Sequence, residues 1–312
     1  MSKCLITGCG GFIGSYLAEY LLQKDIDVYG VVHHGAKNLD HLKEKITLIS
    51  CDIQDKDSVK AIVAEVKPDI IFHLAAESQV EPLNQNFEKT FSINTLGTLH
   101  LLEAVRQAGI TPVIGLAGSS AEYGPSHQDE VHIDETHGFR PSSLYAVSKA
   151  AADMLGYFYW KAYHLPIIRV RLFNITGPGR IGDACSDFTR GIVESERECK
   201  NKLEVGNLEA VRDFTDVRDG VKALWRLIER ATPGEAYNLC SGRGYSIKQI
   251  LDMAISLSSH KIKGSPRQRK LRFIDDPVYI GDNSKLRKLG WEPQIPLEKT
   301  LADMLEYWRR QI

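Results

Sequence analysis

A chain of 312 residues can hold one large domain or two modest ones, each with a proper core. With 43% hydrophobic and 25% charged residues and a formal net charge of −1, it offers no general electrostatic case for nucleic acid or an anionic membrane surface. No apolar run approaches a membrane span, no signal peptide is read, and the 6 cysteines are scattered without a C-x-x-C pair; a cytoplasmic protein with reduced thiols and no metal site is expected.

The apolar run at residues 3–7 enters Gly8-x-x-Gly11-x-x-Gly14, and Ile13, Leu17, Tyr20 and Leu21 follow at helical spacing. That pattern predicts a strand, a tight turn and a helix start. Gly8 would make the turn, Gly11 would let the backbone approach a pyrophosphate, and Gly14 would allow close helix–strand packing. The open N–H groups and dipole of the helix would face the phosphates. A glycine-rich surface turn has the same composition, but the flanking strand and helix favour a dinucleotide site made by Gly8, Gly11, Phe12, Ile13 and Gly14. A second strand over 27–32 ends in His33-His34-Gly35. An acidic residue there would bind a ribose 2′-hydroxyl and repel a 2′-phosphate. His33, His34 and Lys37 instead leave the loop neutral to basic, so NADP(H) is favoured and NAD(H) stays open; both histidines could equally be solvated loop residues.

The third strand, 46–53, brings Asp52 and Ile53 to the adenine side. The fourth, 69–76, ends in Leu74, Ala75 and Ala76, small enough to let the backbone approach the cofactor; His73 within it reads as a satisfied core histidine. A helical pattern over 82–108 contains Asn94, and a fifth strand over 113–118 delivers Ser119 and Ser120 at its carboxyl end, where ligands bind in open α/β sheets. This alternation predicts an α/β fold with a Rossmann-type, doubly wound parallel sheet. The predicted division is a dinucleotide-binding domain over 1–175, with a returning segment near 214–240, and a smaller C-terminal α/β substrate-binding region over 176–312. In that second region the charged run 203–219 and the basic stretch 261–272 could each be a solvated face.

A long helix opens after Pro141 and runs to about residue 163, and Tyr145 and Lys149 lie one turn apart on one of its faces. An ammonium beside a phenol lowers the phenol pKa, so Tyr145 could exchange a proton with a substrate oxygen near neutral pH. A hydroxyl from Ser119 or Ser120 could donate to the same oxygen. Ser119, Ser120, Tyr145 and Lys149 are the catalytic candidates, with Tyr145 and Lys149 also against the cofactor.

Thr7-Gly8-x-x-Gly11-x-x-Gly14, His73-Leu74-Ala75-Ala76, Asn94-x-x-Gly97-Thr98, Tyr145-x-x-x-Lys149 and Arg171-Leu172-Phe173-Asn174 together resemble the extended short-chain dehydrogenases that modify nucleotide sugars, over essentially the whole chain. The stretches 205–219, 237–242 and 289–293 resemble the GDP-mannose branch, which holds a 4,6-dehydratase and a reductase acting on its 4-keto-6-deoxy product. The resemblance implies a GDP-sugar substrate, with Asn94 at the cofactor and Asn174, Asn207, Arg212 and Arg272 on the nucleoside diphosphate. It also implies a homodimer formed through the helices near 82–108 and 145–163. Ser78 and Glu122 are counted with the substrate pocket. Dehydratases of this branch carry a Glu two positions after the catalytic hydroxyl, and here that position is Ala121. Glu122 is one residue off and would point elsewhere if the stretch were extended. Reduction of a C4 ketone, with Tyr145 as general acid, is therefore the expected activity. The alternatives are a 4,6-dehydratase, a C4 epimerase or dehydrogenase of a GDP-sugar (GDP-heptose included), and a non-catalytic NADP-binding regulator. The Ser119, Tyr145 and Lys149 trio argues against the last.

Overall fold

In strand β1 (Lys3–Thr7) Cys4 and Ile6 face one side and Leu5 the other, and all three are buried, so the sheet begun here is covered on both faces. The computed structural model describes residues 2–33, 35–78, 86–125, 132–198, 202–258, 260, 263–266 and 277–312. Helix α1 (Phe12–Leu22) leads to β2 (Asp27–Val32) and β3 (Thr47–Ser50), then α2 (Lys56–Val66), β4 (Ile70–His73), α3 (Phe87–Phe91), a π-helical turn (Ser92–Leu96) and α4 (Gly97–Ala108). Next come β5 (Val113–Ser119), a 3-10 turn (Ser120–Tyr123), α5 (Leu144–Tyr163), β6 (Ile167–Leu172) and β7 (Asn174–Thr176). The remainder is α6 (Ala184–Glu198), β8 (Lys202–Val205), β9 (Val211–Asp216), α7 (Val217–Arg230), β10 (Ala236–Leu239), β11 (Gly244–Ser246), α8 (Ile247–Ser256), β12 (Lys263–Pro266), β13 (Val278–Tyr279), α9 (Ser284–Arg287) and α10 (Leu297–Gln311).

The main sheet has seven parallel strands in the order β10-β6-β5-β4-β1-β2-β3. Strand order reverses between β1 and β4, and a ligand crevice belongs at the carboxyl ends of those two strands. On one face Leu17 and Leu21 of α1 meet Val221, Leu224 and Leu227 of α7. On the other, Val59 and Val63 of α2 pack with Leu101, Leu102 and Val105 of α4 and Tyr159 of α5. Full burial of each such side chain stabilises by about 1.5–3 kcal/mol relative to exposure. A separate core of Phe188, Ile192, Ile250, Leu301 and Met304 holds α6, α8 and α10 together. Among the described residues no helix is long and apolar enough to cross a membrane.

The doubly wound parallel sheet agrees with the sequence pattern, and the differences are local. Strand β4 stops at His73 because the Ala75 amide turns to the Thr7 hydroxyl, 3.3 Å away. The helical pattern over 82–108 is described from Phe87 onward and widens into a π turn at Ser92–Leu96. There the Asn94 amide reaches out to the backbone of Glu77 instead of lying along the helix. His73 is a core residue: Thr7 and Thr98 hydroxyls satisfy its two ring nitrogens at 2.7 and 3.0 Å, and burial holds its pKa down at about 3.

The charged run 203–219 is not a solvated face. Asp213, Asp216 and Asp219 are buried, each receiving hydrogen bonds that tie distant segments together. Asp213 accepts from the Ser241, Gly242 and Gly281 amides, and Asp216 from Arg218 and the Thr300 hydroxyl. Asp219 accepts from the Gln294 and Ile295 amides at 2.7 Å each. Of the basic stretch 261–272, only 263–266 lie within the described residues. Asp219→Ala strands two inward-facing N–H groups, each costing roughly 1–3 kcal/mol. A clear fall in the urea midpoint is expected for this variant, and an unchanged midpoint would remove Asp219 as an anchor.

Candidate active site

The glycine turn sits at the reversal of strand order, and its three glycines have three different reasons. Gly8 has φ +71°, and a Cβ there would lie 2.7 Å from the Ala75 nitrogen. A Cβ on Gly14 would lie 2.3 Å from the Gly8 carbonyl oxygen, so only glycine lets α1 start this close to the turn. A Cβ on Gly11 would meet only the Gly8 oxygen, at 3.1 Å, and otherwise enter open space. Helix α1 begins at Phe12 and Ile13 with no side-chain cap and no acidic residue in its first turn, leaving the positive end of its dipole open. Leu74, Ala75 and Ala76 run alongside the turn, the last of them exposed. At the far edge His33 Nε2 lies 3.4 Å from Asp52 Oδ2, both half-exposed, while Ile53 is buried beneath Gly97. Asn94, expected at the cofactor, lies behind the loop after β4. It is buried, its oxygen accepts from the Glu77 amide at 2.8 Å, and its nitrogen donates to the Glu77 carbonyl and the Ser148 hydroxyl. Asn94 therefore shapes the loop after β4 from behind.

At the end of β5 the Ser119 hydroxyl comes close enough to the Tyr145 phenol to favour its ionised form, so Ser119 and Tyr145 are brought together. Ser120 is instead tied down through its carbonyl, which accepts from the Tyr279 hydroxyl. Lys149 is buried, and its Nζ donates to the Ala117 carbonyl on β5. Burial pushes the Tyr145 phenol up, and the groups that oppose this are the Ser119 hydroxyl and the Arg180 guanidinium. The Lys149 ammonium reaches across to the strand, and burial outweighs the groups that favour the phenolate.

Glu122 also departs from the substrate pocket. Residues 120–123 form a 3-10 turn, not an extended stretch, and the Glu122 side chain is folded under β5 with 0% exposure. Its Oε1 accepts from the Ser119 amide at 2.6 Å, closing a capping box with Ser119. Ser-x-x-Glu is the sequence signature of that motif and was there to be read. Glu77, on the loop after β4, faces Lys89 at 3.4 Å.

Arg180 is the site residue that the sequence reading misses. Its guanidinium lies 5.7 Å over the Phe12 ring, its Nε is 3.5 Å from Asp183 Oδ2, and its charge acts on Tyr145. The available signal is a lone cation right after Gly177-Pro178-Gly179, a bend leaving the carboxyl end of a strand. Among the expected substrate contacts, Ser78 is exposed on the loop after β4. Asn174 donates to the Asp213 carbonyl at 2.8 Å, Arg212 to the Val211 carbonyl at 2.8 Å, and Asn207 accepts from the Glu209 amide at 3.0 Å. Asn174 and Arg212 are half-buried on adjacent strands β7 and β9. Arg272 and His34 lie outside the described residues.

The glycine geometry predicts opposite outcomes for two equal substitutions. Gly14→Ala forces α1 away from the turn and should cost roughly 1–3 kcal/mol, as overpacking does. Gly11→Ala should leave the melting temperature within about a degree or two of wild type, since surface changes stay near ±0.5 kcal/mol. Equal melting temperatures for the two variants would contradict the division of roles.

The chain matches the family model described as GDP-mannose 4,6 dehydratase over residues 5–304. A GDP-mannose 4,6-dehydratase of Vibrio cholerae is 30% identical over 346 residues, covering 96% of this chain and 92% of that protein. A GDP-6-deoxy-D-mannose reductase of Pseudomonas aeruginosa is 27% identical over 313 residues, covering 99% of this chain and 98% of that one. The solved structure of RMD from Pseudomonas aeruginosa, complexed with NADPH, superposes with a TM-score of 0.86 at 26% identity and covers 100% of both chains. With a seven-stranded Rossmann-type sheet and a match along nearly its whole length, the chain belongs to the GDP-mannose 4,6-dehydratase family of nucleotide-sugar-modifying enzymes.

Proposed function

We propose that the protein reduces the C4 ketone of a GDP-4-keto-6-deoxymannose-type sugar nucleotide with NADPH. The observation that carries this reading is the turn after β5: Ala121 stands where a dehydratase needs a carboxylate, and Glu122 is withdrawn into the interior. Chemistry at C5 requires a base, and neither an alanine nor a fully buried carboxyl group can serve as one at the pocket surface. NADPH rather than NADH is favoured by the end of β2, where His33 and His34 follow the strand and no acidic residue stands, and by the NADPH-bound relative. The open first turn of α1 and the space over Gly11 fit a pyrophosphate, and Leu74, Ala75 and Ala76 would flank the rest of the dinucleotide. When bound, the cofactor supplies the hydride.

Tyr145 Oη donates a proton to the C4 oxygen, and the Ser119 hydroxyl beside that phenol orients the pair. Arg180 favours transient phenolate, while Lys149 fixes the strand carbonyl beneath. We assign Arg180, Asn174 and Arg212 to the nucleoside diphosphate, with the C-terminal region as its binding side. The second reading, a 4,6-dehydratase, is supported by the Vibrio cholerae relative and would need Glu77 or Glu122 to turn toward the sugar.

Tyr145→Phe keeps the ring and removes the proton, so NADPH consumption with the 4-keto substrate should fall about 10²–10⁴-fold while cofactor affinity holds. Near-normal turnover would sink the assignment. We also propose a homodimer: Leu144, Val147, Met154 and Phe158 form an exposed stripe along α5, Met154 59% and Phe158 52% exposed, with Leu96 exposed at the start of α4. Light scattering at micromolar concentration should report a dimer that Phe158→Asp converts to monomer; a monomeric wild type would refute it.

A further inference from the structure

A hydrogen bond crosses from the C-terminal region to the turn after β5: the Tyr279 hydroxyl donates to the Ser120 carbonyl. Tyr279 belongs to β13, which runs parallel to β9 with Tyr279 in register with Arg212. The segment around it is held from several sides. The Val211 amide donates to the Pro277 carbonyl at 2.8 Å, and Ile133 exchanges two bonds of 2.9 Å with Ile280 and Asp282. The Gly281 amide reaches Asp213 at 3.3 Å. A Cβ on Gly281 would lie 2.5 Å from Cys240 Sγ and 2.7 Å from the Phe173 ring, so no side chain fits there. The Tyr279 ring itself packs on Phe173, with centroids 5.7 Å apart. Its hydroxyl is therefore delivered from a closely packed support.

What this bond acts on follows from covalent geometry. The Ser120 carbonyl and the Ala121 amide are the two ends of one planar trans peptide, so they point in opposite directions and turn together. The Ala121 N–H is an open donor at the start of the 3-10 turn, and the Ser119 hydroxyl oxygen accepts from it at 3.2 Å. A hydroxyl that accepts there keeps its single O–H for another acceptor. The Ser119 amide is fixed separately, by Glu122 Oε1 at 2.6 Å. We infer that Tyr279 is a positioning residue for the Ser119 hydroxyl: holding the Ser120 carbonyl sets the plane of the 120–121 peptide, and that plane aims the Ala121 amide at Ser119 Oγ. The hydroxyl that faces the C4 oxygen is thus oriented from the strand paired with Arg212, the residue assigned to the nucleoside diphosphate. A tie that only joined the two regions would leave Ala121 no more affected than its neighbours.

The inference rests on the proposed role of Ser119, so its test begins with a readout that needs no turnover. Exchange of the Ala121 amide hydrogen is measured at single-residue resolution in wild type, Tyr279→Phe, Ser119→Ala and the double variant, with folding checked by circular dichroism. Tyr279→Phe keeps the ring on Phe173 and removes the hydroxyl. It should speed Ala121 exchange about 2–10-fold, the factor one intramolecular hydrogen bond is worth, while the amides of β1 and α10 keep their rates. Ser119→Ala should speed it too, and adding Tyr279→Phe to that variant should change little, because both act through the same peptide. Tyr279→Met, a second variant without the donor, gives the same reading should the phenylalanine variant not fold. In NADPH-dependent reduction Tyr279→Phe should lower kcat by a similar factor and leave KM for cofactor and sugar nucleotide unchanged. Ala121 exchange equal to wild type in the folded variants, or effects of the two substitutions that simply add, overturns the inference. A raised KM with kcat unchanged makes Tyr279 a binding tie and overturns it as well. If wild type reduces no sugar nucleotide, the functional reading fails and the exchange cycle still decides the role of Tyr279.

Discussion

The site depends on one close approach, that of the Gly8 turn to the backbone of Ala75. The two segments leave neighbouring parallel strands, β1 and β4, at the point where strand order reverses, and no side chain fits between them. Thr7 secures the contact from both sides, accepting from the Ala75 amide and bonding the buried His73 ring. Asn94 then fixes Glu77, two residues beyond Ala75, and is itself held by Ser148 on α5, the helix that carries Tyr145 and Lys149. The glycine turn and the Tyr145 helix are therefore registered to each other through a continuous set of buried polar contacts. A cofactor gripped at one end is presented at a fixed height to the other.

Much of this was legible because it is local. The three glycines, the alternation of strand and helix, and the four-residue spacing of Tyr145 and Lys149 each encode geometry within a few residues. Glu122 was harder. Its position depends on whether Ser119–Tyr123 runs straight or curls, and an extended strand and a 3-10 turn send residue 122 to different places. Asn94 reads as a site residue from its motif, and only its neighbours reveal that it braces a loop. Asp213, Asp216 and Asp219 illustrate the same limit. Their composition matches a solvated face, and what buries them is the packing of β9 and α7 against segments 28 to 84 positions away, such as Ser241 and Thr300.

Burial decides the electrostatics of the site more than pairwise contacts do. It raises Tyr145 and Glu122, lowers Lys149 and leaves His73 neutral. The family's reductases and dehydratases share a glycine turn and a Tyr–Lys helix by resemblance; what separates their chemistry is whether a carboxylate reaches the sugar. In this chain Glu122 is buried beneath Ser119 and holds its amide.

That distinction is the central claim, and one incubation tests it. The wild-type protein is given GDP-mannose and NADP⁺, and the sugar nucleotide is followed by mass spectrometry. With Ala121 at the pocket and Glu122 sequestered, the mass should show no loss of one water. A product lighter by one water would contradict the account and identify the protein as a 4,6-dehydratase.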